Sequence, residues 1–126
     1  MKIYCGTDII EVERIKKAIL STPKFKEKIF TPAEISYAES KSDITKYQHY
    51  AGRFAAKEAI YKSISNIYAH VELGQIEIVN DKGNYNRPKV TIHNSEFNKI
   101  AKNMQIDVSI SHIKDYAIAY STASFL

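Results

Sequence analysis

The spacing of hydrophobic residues changes halfway along the chain. In the first half they recur at helical intervals. Ile9, Ile10, Val12, Ile15 and Ile19 form one series, Ile35, Tyr37 and Ala38 a second, and a long third series runs from about Lys46 to Asn66. In the second half they alternate. Gln75 to Val79 and Lys89 to Ile92 read as two strands joined by a turn at Asp81-Lys82-Gly83-Asn84, a hairpin. Ile106, Val108 and Ile110 alternate with Asp107, Ser109 and Ser111, and Tyr116 to Tyr120 predicts a last strand after a turn near Lys114-Asp115.

Polar residues supply the boundaries. Ile3-Tyr4-Cys5 predicts a short strand leading into Gly6-Thr7-Asp8. Asp8 and Glu11 have the spacing of a capping box, so Asp8 reads as the N-cap of a helix ending near Ser21-Thr22-Pro23. A basic segment, KFKEKIF, leads to Thr31-Pro32-Ala33-Glu34, the clearest helix start: Thr31 as N-cap, Pro32 at the first helical position, Glu34 reaching back. Asn94 or Ser95 caps a short helix through Met104. Helices first and hairpins later predict an α+β fold, a single domain over residues 1–126 with an antiparallel sheet packed on a long central helix and shorter helices.

The bulk properties narrow the function classes. A chain of 126 residues buries a real core but is small for a pocket built by one subunit, which favours sites between subunits. Eighteen basic against fourteen acidic residues give a net charge of +4, which suits an acidic partner and is too weak to name nucleic acid. The single cysteine, Cys5, excludes an internal disulfide and a multi-thiolate metal site, and its place in a strand suggests a core residue. No run of eighteen apolar residues exists to cross a membrane. Asp8, Glu11 and Glu13 break the N-terminal stretch, so it lacks a signal peptide and the cytoplasm is the default.

Two charges in the central helix are oddly placed. At about 100° per residue, Lys57 falls among Ala56, Ile60, Tyr61 and Ile64, on the apolar side. Glu58 and Lys62 share a face with Ala51 and Ala55, where little shields them. Each has a plain reading. Asp8 caps a helix, Glu58 and Lys62 form a solvated i,i+4 pair, and His112 is a packed or edge histidine at a strand end. Lys57 reaches water at the helix margin or finds an acidic partner. A sharper reading starts from what the chain lacks: paired thiolates, a zinc-binding histidine pair, a glycine-rich phosphate loop and a nucleophile elbow. Hard cations take one or two carboxylates and complete their shell with water and phosphate oxygens. Asp8 and Glu58 could supply that pair, with Lys62 on a phosphate and Ala51 and Ala55 leaving room for a bulky ligand.

Four segments resemble the small holo-acyl carrier protein synthases, a 4′-phosphopantetheinyl transferase family. They are Gly6 to Arg14, Phe30 to Glu34, Ala51 to Ala59 (AGRFAAKEA), and Ser109 to His112 followed by Tyr116 to Ala119. They stand in family order and cover nearly the whole chain, and the third is the most specific. The resemblance implies transfer of the 4′-phosphopantetheine arm of coenzyme A to a serine of apo acyl carrier protein, in fatty acid biosynthesis. The other product is adenosine 3′,5′-bisphosphate. It further implies a homotrimer with interface active sites, and neither a nucleic-acid nor a membrane partner. Asp8 and Glu58 would hold Mg²⁺, with Mn²⁺ as the alternative, against the pyrophosphate. Lys62 would contact that pyrophosphate, and Glu58, directly or through a water, is the candidate base. Arg53 and His112 would contact the nucleotide and its 3′-phosphate. Arg14, with Lys17 and Lys24 extending the patch, would meet the acidic carrier.

Two departures from the family pattern stand out. The loop after the central helix has no glycine until Gly74, and Asn86 replaces a glycine ahead of Arg87-Pro88. Lys57 is expected in a structural ion pair with an unnamed partner. The competing class is a non-catalytic basic domain binding an acidic protein or nucleic acid. The small charge excess and the lack of interleaved exposed aromatics weigh against it. A coenzyme A-binding relative with altered activity is a further alternative, against which Asp8, Glu58 and Lys62 weigh.

Overall fold

The computed structural model describes residues 1–125. Its strands are β1 (Lys2–Glu11), β2 (Ile76–Asp81), β3 (Arg87–Ile92), β4 (Met104–His112) and β5 (Tyr116–Phe125). Its helices are α1 (Val12–Ser21), α2 (Phe25–Ile29), α3 (Pro32–Glu39), α4 (Asp43–Ile64) and α5 (Ser95–Ile100), with 3₁₀ turns at Leu73–Gln75 before β2 and at Lys82–Asn84 between β2 and β3. β1, β5 and β4 form an antiparallel sheet in that order, and β2 with β3 forms a separate hairpin. The α+β expectation holds.

The long helix α4 packs across one face of the three-stranded sheet. Small residues make this possible: Ala55 and Ala59 on the helix and Ala119 and Ala123 on β5 are wholly or nearly wholly buried. The closest approach is at Gly6, where an added Cβ would lie 2.1 Å from the Ala59 carbonyl oxygen and 2.8 Å from the Lys62 Cβ. Beside it, the buried hydroxyls of Ser63 and Ser121 stand 3.2 Å apart, and Ser63 also donates to the Ile60 carbonyl at 2.7 Å. Two polar groups are thereby satisfied where bulk would not fit.

Larger side chains close the ends. Ile60, Ile64, Ile76, Ile78 and Phe97 join the hairpin and α5 to α4. Burying one such isoleucine contributes about 1.5–3 kcal/mol. A second cluster, with Val12, Ile15, Phe30 and Tyr50, seats α1 to α3 on the first half of α4, the Phe30 and Tyr50 rings 4.9 Å apart.

Several local elements form as the sequence pattern predicts. The capping box at α3 is complete: Thr31 N–H donates to Glu34 Oε1 at 2.8 Å, and Glu34 N–H to Thr31 Oγ1 at 3.4 Å. Asn94 caps α5, its side chain accepting from Phe97 N–H at 2.9 Å. Asn86 takes the left-handed conformation at φ 58°, as a glycine substitute must.

Others are corrected. Asp8 caps no helix, because β1 stays paired with β5 as far as Glu11 opposite Tyr116, and Glu11 is the N-cap position of α1. Cys5 is exposed on the sheet's outer face rather than in the core. The basic segment before α3 contains a short helix, α2. Ala51 and Ala55 are fully buried, so they make room for the sheet and not for a ligand.

Candidate active site

Strand alternation decides which residues of β1 meet α4. Gly6, Asp8 and Ile10 share its inner face, and Gly6 lies against the last turns of the helix. Asp8, two residues on, therefore sits beside Lys62, whose Nζ is 3.4 Å from Asp8 Oδ1 and donates to the Thr7 carbonyl at 2.8 Å. The Lys62 side chain keeps 51% of its surface exposed and that of Asp8 19%, so the pair is open to solvent. Glu58 stands one helical turn before Lys62 on α4 and is half-buried. Burial first, and then the Asp8 charge, push the Glu58 carboxyl above the ordinary carboxylate range, while Lys62 pulls it back. Asp8, Glu58 and Lys62, expected together from the sequence, are brought together.

A cleft of about 410 Å³ opens beside Glu58. Ile29, Tyr61, Val71 and Leu73 supply its apolar lining, with Lys28 and Glu72 also along it. Gly74 completes the wall because an added Cβ there would lie 2.3 Å from the Lys28 carbonyl oxygen. This is the first glycine after α4, and its role is close packing against α2.

Arg53 and His112 form a second group, on another side of α4. They line a hollow of about 250 Å³ with His49, Asn80 and Asn86. Arg53 Nη2 donates to Asn80 Oδ1 at 2.9 Å, and its guanidinium lies 5.8 Å from the centre of the Tyr37 ring. The His49 and His112 rings are 6.0 Å apart. Burial first, then Arg53, His112 and Lys41, hold the His49 imidazole below the ordinary histidine range. Nothing in the sequence marked Asn80 as the partner of Arg53; only the fold of the hairpin brings it there.

Arg14, Lys17 and Lys24 are all exposed, the first two on α1 and Lys24 at the start of α2 with φ 65°. Lys57 does not reach water. Its Nζ is 2.8 Å from Glu34 Oε1, and both side chains are fully buried. The expected ion pair exists within one chain, and the partner of Lys57 is Glu34, the third residue of α3 that also closes its capping box.

Asp8 and Glu58 offer a hard cation two oxygen donors from separate elements, close enough for the charge of one to weaken the acidity of the other. Among the described residues no group of three or more histidine, cysteine or acidic side chains could cage a metal. The pair thus fits an ion that takes the rest of its shell from water and a phosphorylated substrate, as Mg²⁺ does.

Comparison with known proteins gives the family. Residues 4–121 match the 4′-phosphopantetheinyl transferase superfamily. A holo-[acyl-carrier-protein] synthase of Ruminiclostridium cellulolyticum is 44% identical over 128 residues, covering 98% of this chain and 93% of the relative. The fold matches that of a Chronobacterium ammoniagenes ACPS-CoA complex with TM-score 0.85 and 24% identity, over 100% of this chain and 99% of that one. A Helicobacter pylori holo-[acyl-carrier-protein] synthase in complex with coenzyme A matches with TM-score 0.73 and 29% identity, over 95% and 99%. The chain belongs to the 4′-phosphopantetheinyl transferase superfamily, and within it to the holo-[acyl-carrier-protein] synthases. It is an enzyme, and the reading as a non-catalytic binding module is left without support.

Proposed function

We propose that the open group of Asp8, Glu58 and Lys62 is where this synthase transfers the phosphopantetheine arm of coenzyme A to apo acyl carrier protein. The observation that carries the assignment is Lys62 Nζ 3.4 Å from Asp8 Oδ1, with a half-buried Glu58 one turn away whose proton affinity is raised. Asp8 and Glu58 would hold Mg²⁺ or Mn²⁺, which would neutralise charge on the pyrophosphate when bound. Lys62 binds the pyrophosphate oxygens and steadies the departing adenosine 3′,5′-bisphosphate. Glu58 accepts the proton of the carrier serine as its Oγ bonds to the phosphorus bearing the arm and the bond from that phosphorus to the bridging oxygen breaks.

Arg53 and His112 are proposed to bind the nucleotide and its 3′-phosphate. Because they lie apart from Glu58 in one chain, the reading needs a second copy to bring such a group to each acid pair. The outer face of the three-stranded sheet supports this: Ile9, Ile118 and Tyr120 are 64%, 44% and 50% exposed there. A homotrimer with sites at its interfaces satisfies both observations. Arg14, Lys17 and Lys24 form the surface for the acidic carrier, in keeping with the net charge of +4. Among the described residues no helix is long and apolar enough to cross a membrane, and a cytoplasmic location is part of the proposal.

The test combines the protein with coenzyme A, Mg²⁺ and an apo carrier protein and weighs the carrier by mass spectrometry. The carrier gains the mass of one phosphopantetheine, chelation by EDTA stops the gain, and an unmodified carrier refutes the assignment. Arg14→Glu raises the KM for the carrier several-fold and increasingly so at low salt, leaving the KM for coenzyme A in place. An equal rise in both overturns the assigned carrier surface.

A further inference from the structure

Lys57 is the most costly residue in the chain to bury, and the transfer reaction as described does not use it. Its side chain is 0% exposed, on the helix that carries Glu58 at the next position. An ammonium has three protons to donate, and three acceptors surround this one. Glu34 Oε1 lies at 2.8 Å, the Leu73 carbonyl at 3.2 Å, and the Ile76 carbonyl is the third. Glu34 is just as fully engaged, accepting from Thr31 N–H at 2.8 Å through Oε1 and from Ile78 N–H at 2.8 Å through Oε2.

The two carbonyls show what the lysine holds. Leu73 opens the 3₁₀ turn that links the loop after α4 to β2, and Ile76 directly follows that turn as the first residue of β2. Leu73 and Gly74 are also the wall of the cleft that has Glu58 on its α4 side. That wall touches α2 on one side, through Gly74 against the Lys28 carbonyl, and Lys57 on the other. Glu58 and Lys57 thus work on one cleft from adjacent helix positions, Glu58 lining it and Lys57 anchoring its opposite side. Apolar residues of similar volume often match or exceed a buried ion pair in stability, so stability alone is a weak reason for this one. An apolar side chain cannot grip two main-chain carbonyls.

We propose that Lys57 is a positioning residue for coenzyme A: by holding the Leu73 and Ile76 carbonyls it fixes the cleft wall opposite Glu58, where the pantetheine arm lies against Ile29, Tyr61 and Val71. The inference rests on the coenzyme reading above. It assigns Lys57 no contact with substrate.

The test uses full-length Lys57→Met, Glu34→Gln and the double variant, each measured for melting temperature and for steady-state kinetics with coenzyme A, Mg²⁺ and apo carrier. Lys57→Met loses stability, and the double variant, in which neither charge is left unpaired, regains most of it. The KM for coenzyme A nevertheless stays about tenfold high in the double variant, with kcat and the KM for the carrier within about threefold of the parent. Glu34→Gln, which keeps the lysine and its carbonyl contacts, holds the KM for coenzyme A within about twofold while its melting temperature falls. A double variant restored in both stability and KM overturns the proposal, as does a Glu34→Gln variant whose KM rises as far as that of Lys57→Met. If the double variant does not fold, the Glu34→Gln comparison decides. A parent enzyme that leaves the carrier unmodified refutes the coenzyme reading and this inference with it, whereas an active parent with an unmoved KM refutes only the role of Lys57.

Discussion

Helix α4 carries two lysine–carboxylate pairs, Lys57 with Glu34 and Lys62 with Asp8, and they are wired in opposite ways. The first is sealed: N–O distance 2.8 Å, both side chains fully buried, every lysine proton matched to an acceptor. The second is slack: 3.4 Å, the lysine 51% exposed, one carbonyl taken from β1 and one ammonium proton left without a protein partner. A closed pair has nothing left to offer a ligand and so belongs to the scaffold. An open pair contributes little to stability but keeps a donor and a charge available to a ligand. Residue type and helix are the same in both; the number of partners already engaged separates them.

The comparison is most severely tested at Glu58. Glu58→Gln lowers turnover by about 10²–10⁴-fold, yet the melting temperature does not fall, because a half-buried charge is removed and no partner is orphaned. A variant with near-parental turnover breaks the contrast outright. Next comes a matched pair of substitutions followed by urea unfolding. Lys57→Met lowers stability by about 3–5 kcal/mol, because Glu34 is left charged and buried. Lys62→Met changes it by about 0.5 kcal/mol or less while still impairing transfer. Similar costs at both sites would mean the second pair is structural as well.

The smallest effect concerns pH. Burial and the neighbouring cations lower the proton affinity of His49, so as pH falls through the ordinary histidine range near 6.5 the unfolded chain takes up a proton first. Stability therefore declines on acidification, and His49→Gln flattens that decline without changing stability at neutral or higher pH. Parallel curves for the two proteins between pH 5 and 7 would show that His49 titrates freely. Arg53, His112, Lys41 and the ring of Tyr37 all face it.

The contrast was only half legible in the sequence. Helical angle placed Lys57 among apolar neighbours correctly and called for an ion pair, but Glu34 already had a complete local role in the capping box. Its second use depends on β2 docking against α3, a contact between residues more than forty positions apart. Glu58, Lys62 and Asp8 were legible as a group through the family resemblance. The local signal at Asp8 pointed elsewhere, to a helix cap, because a capping pattern carries no knowledge of a strand partner at the other end of the chain. Pairing of β1 with β5 along its whole length overrode it. The faces of α4 were misread for a related reason: alanines next to charges look exposed until a sheet is laid on them.

Gly6 lies two residues before Asp8, where a Cβ would run into Ala59 and Lys62. The gap between Asp8 on β1 and Glu58 on α4 is consequently gauged by the hydrogen atom that Gly6 carries in place of a side chain. One methyl group there would act as a wedge, prising strand from helix and parting the two acids, so an enzyme with every reacting group intact could be silenced from a position that never meets a substrate.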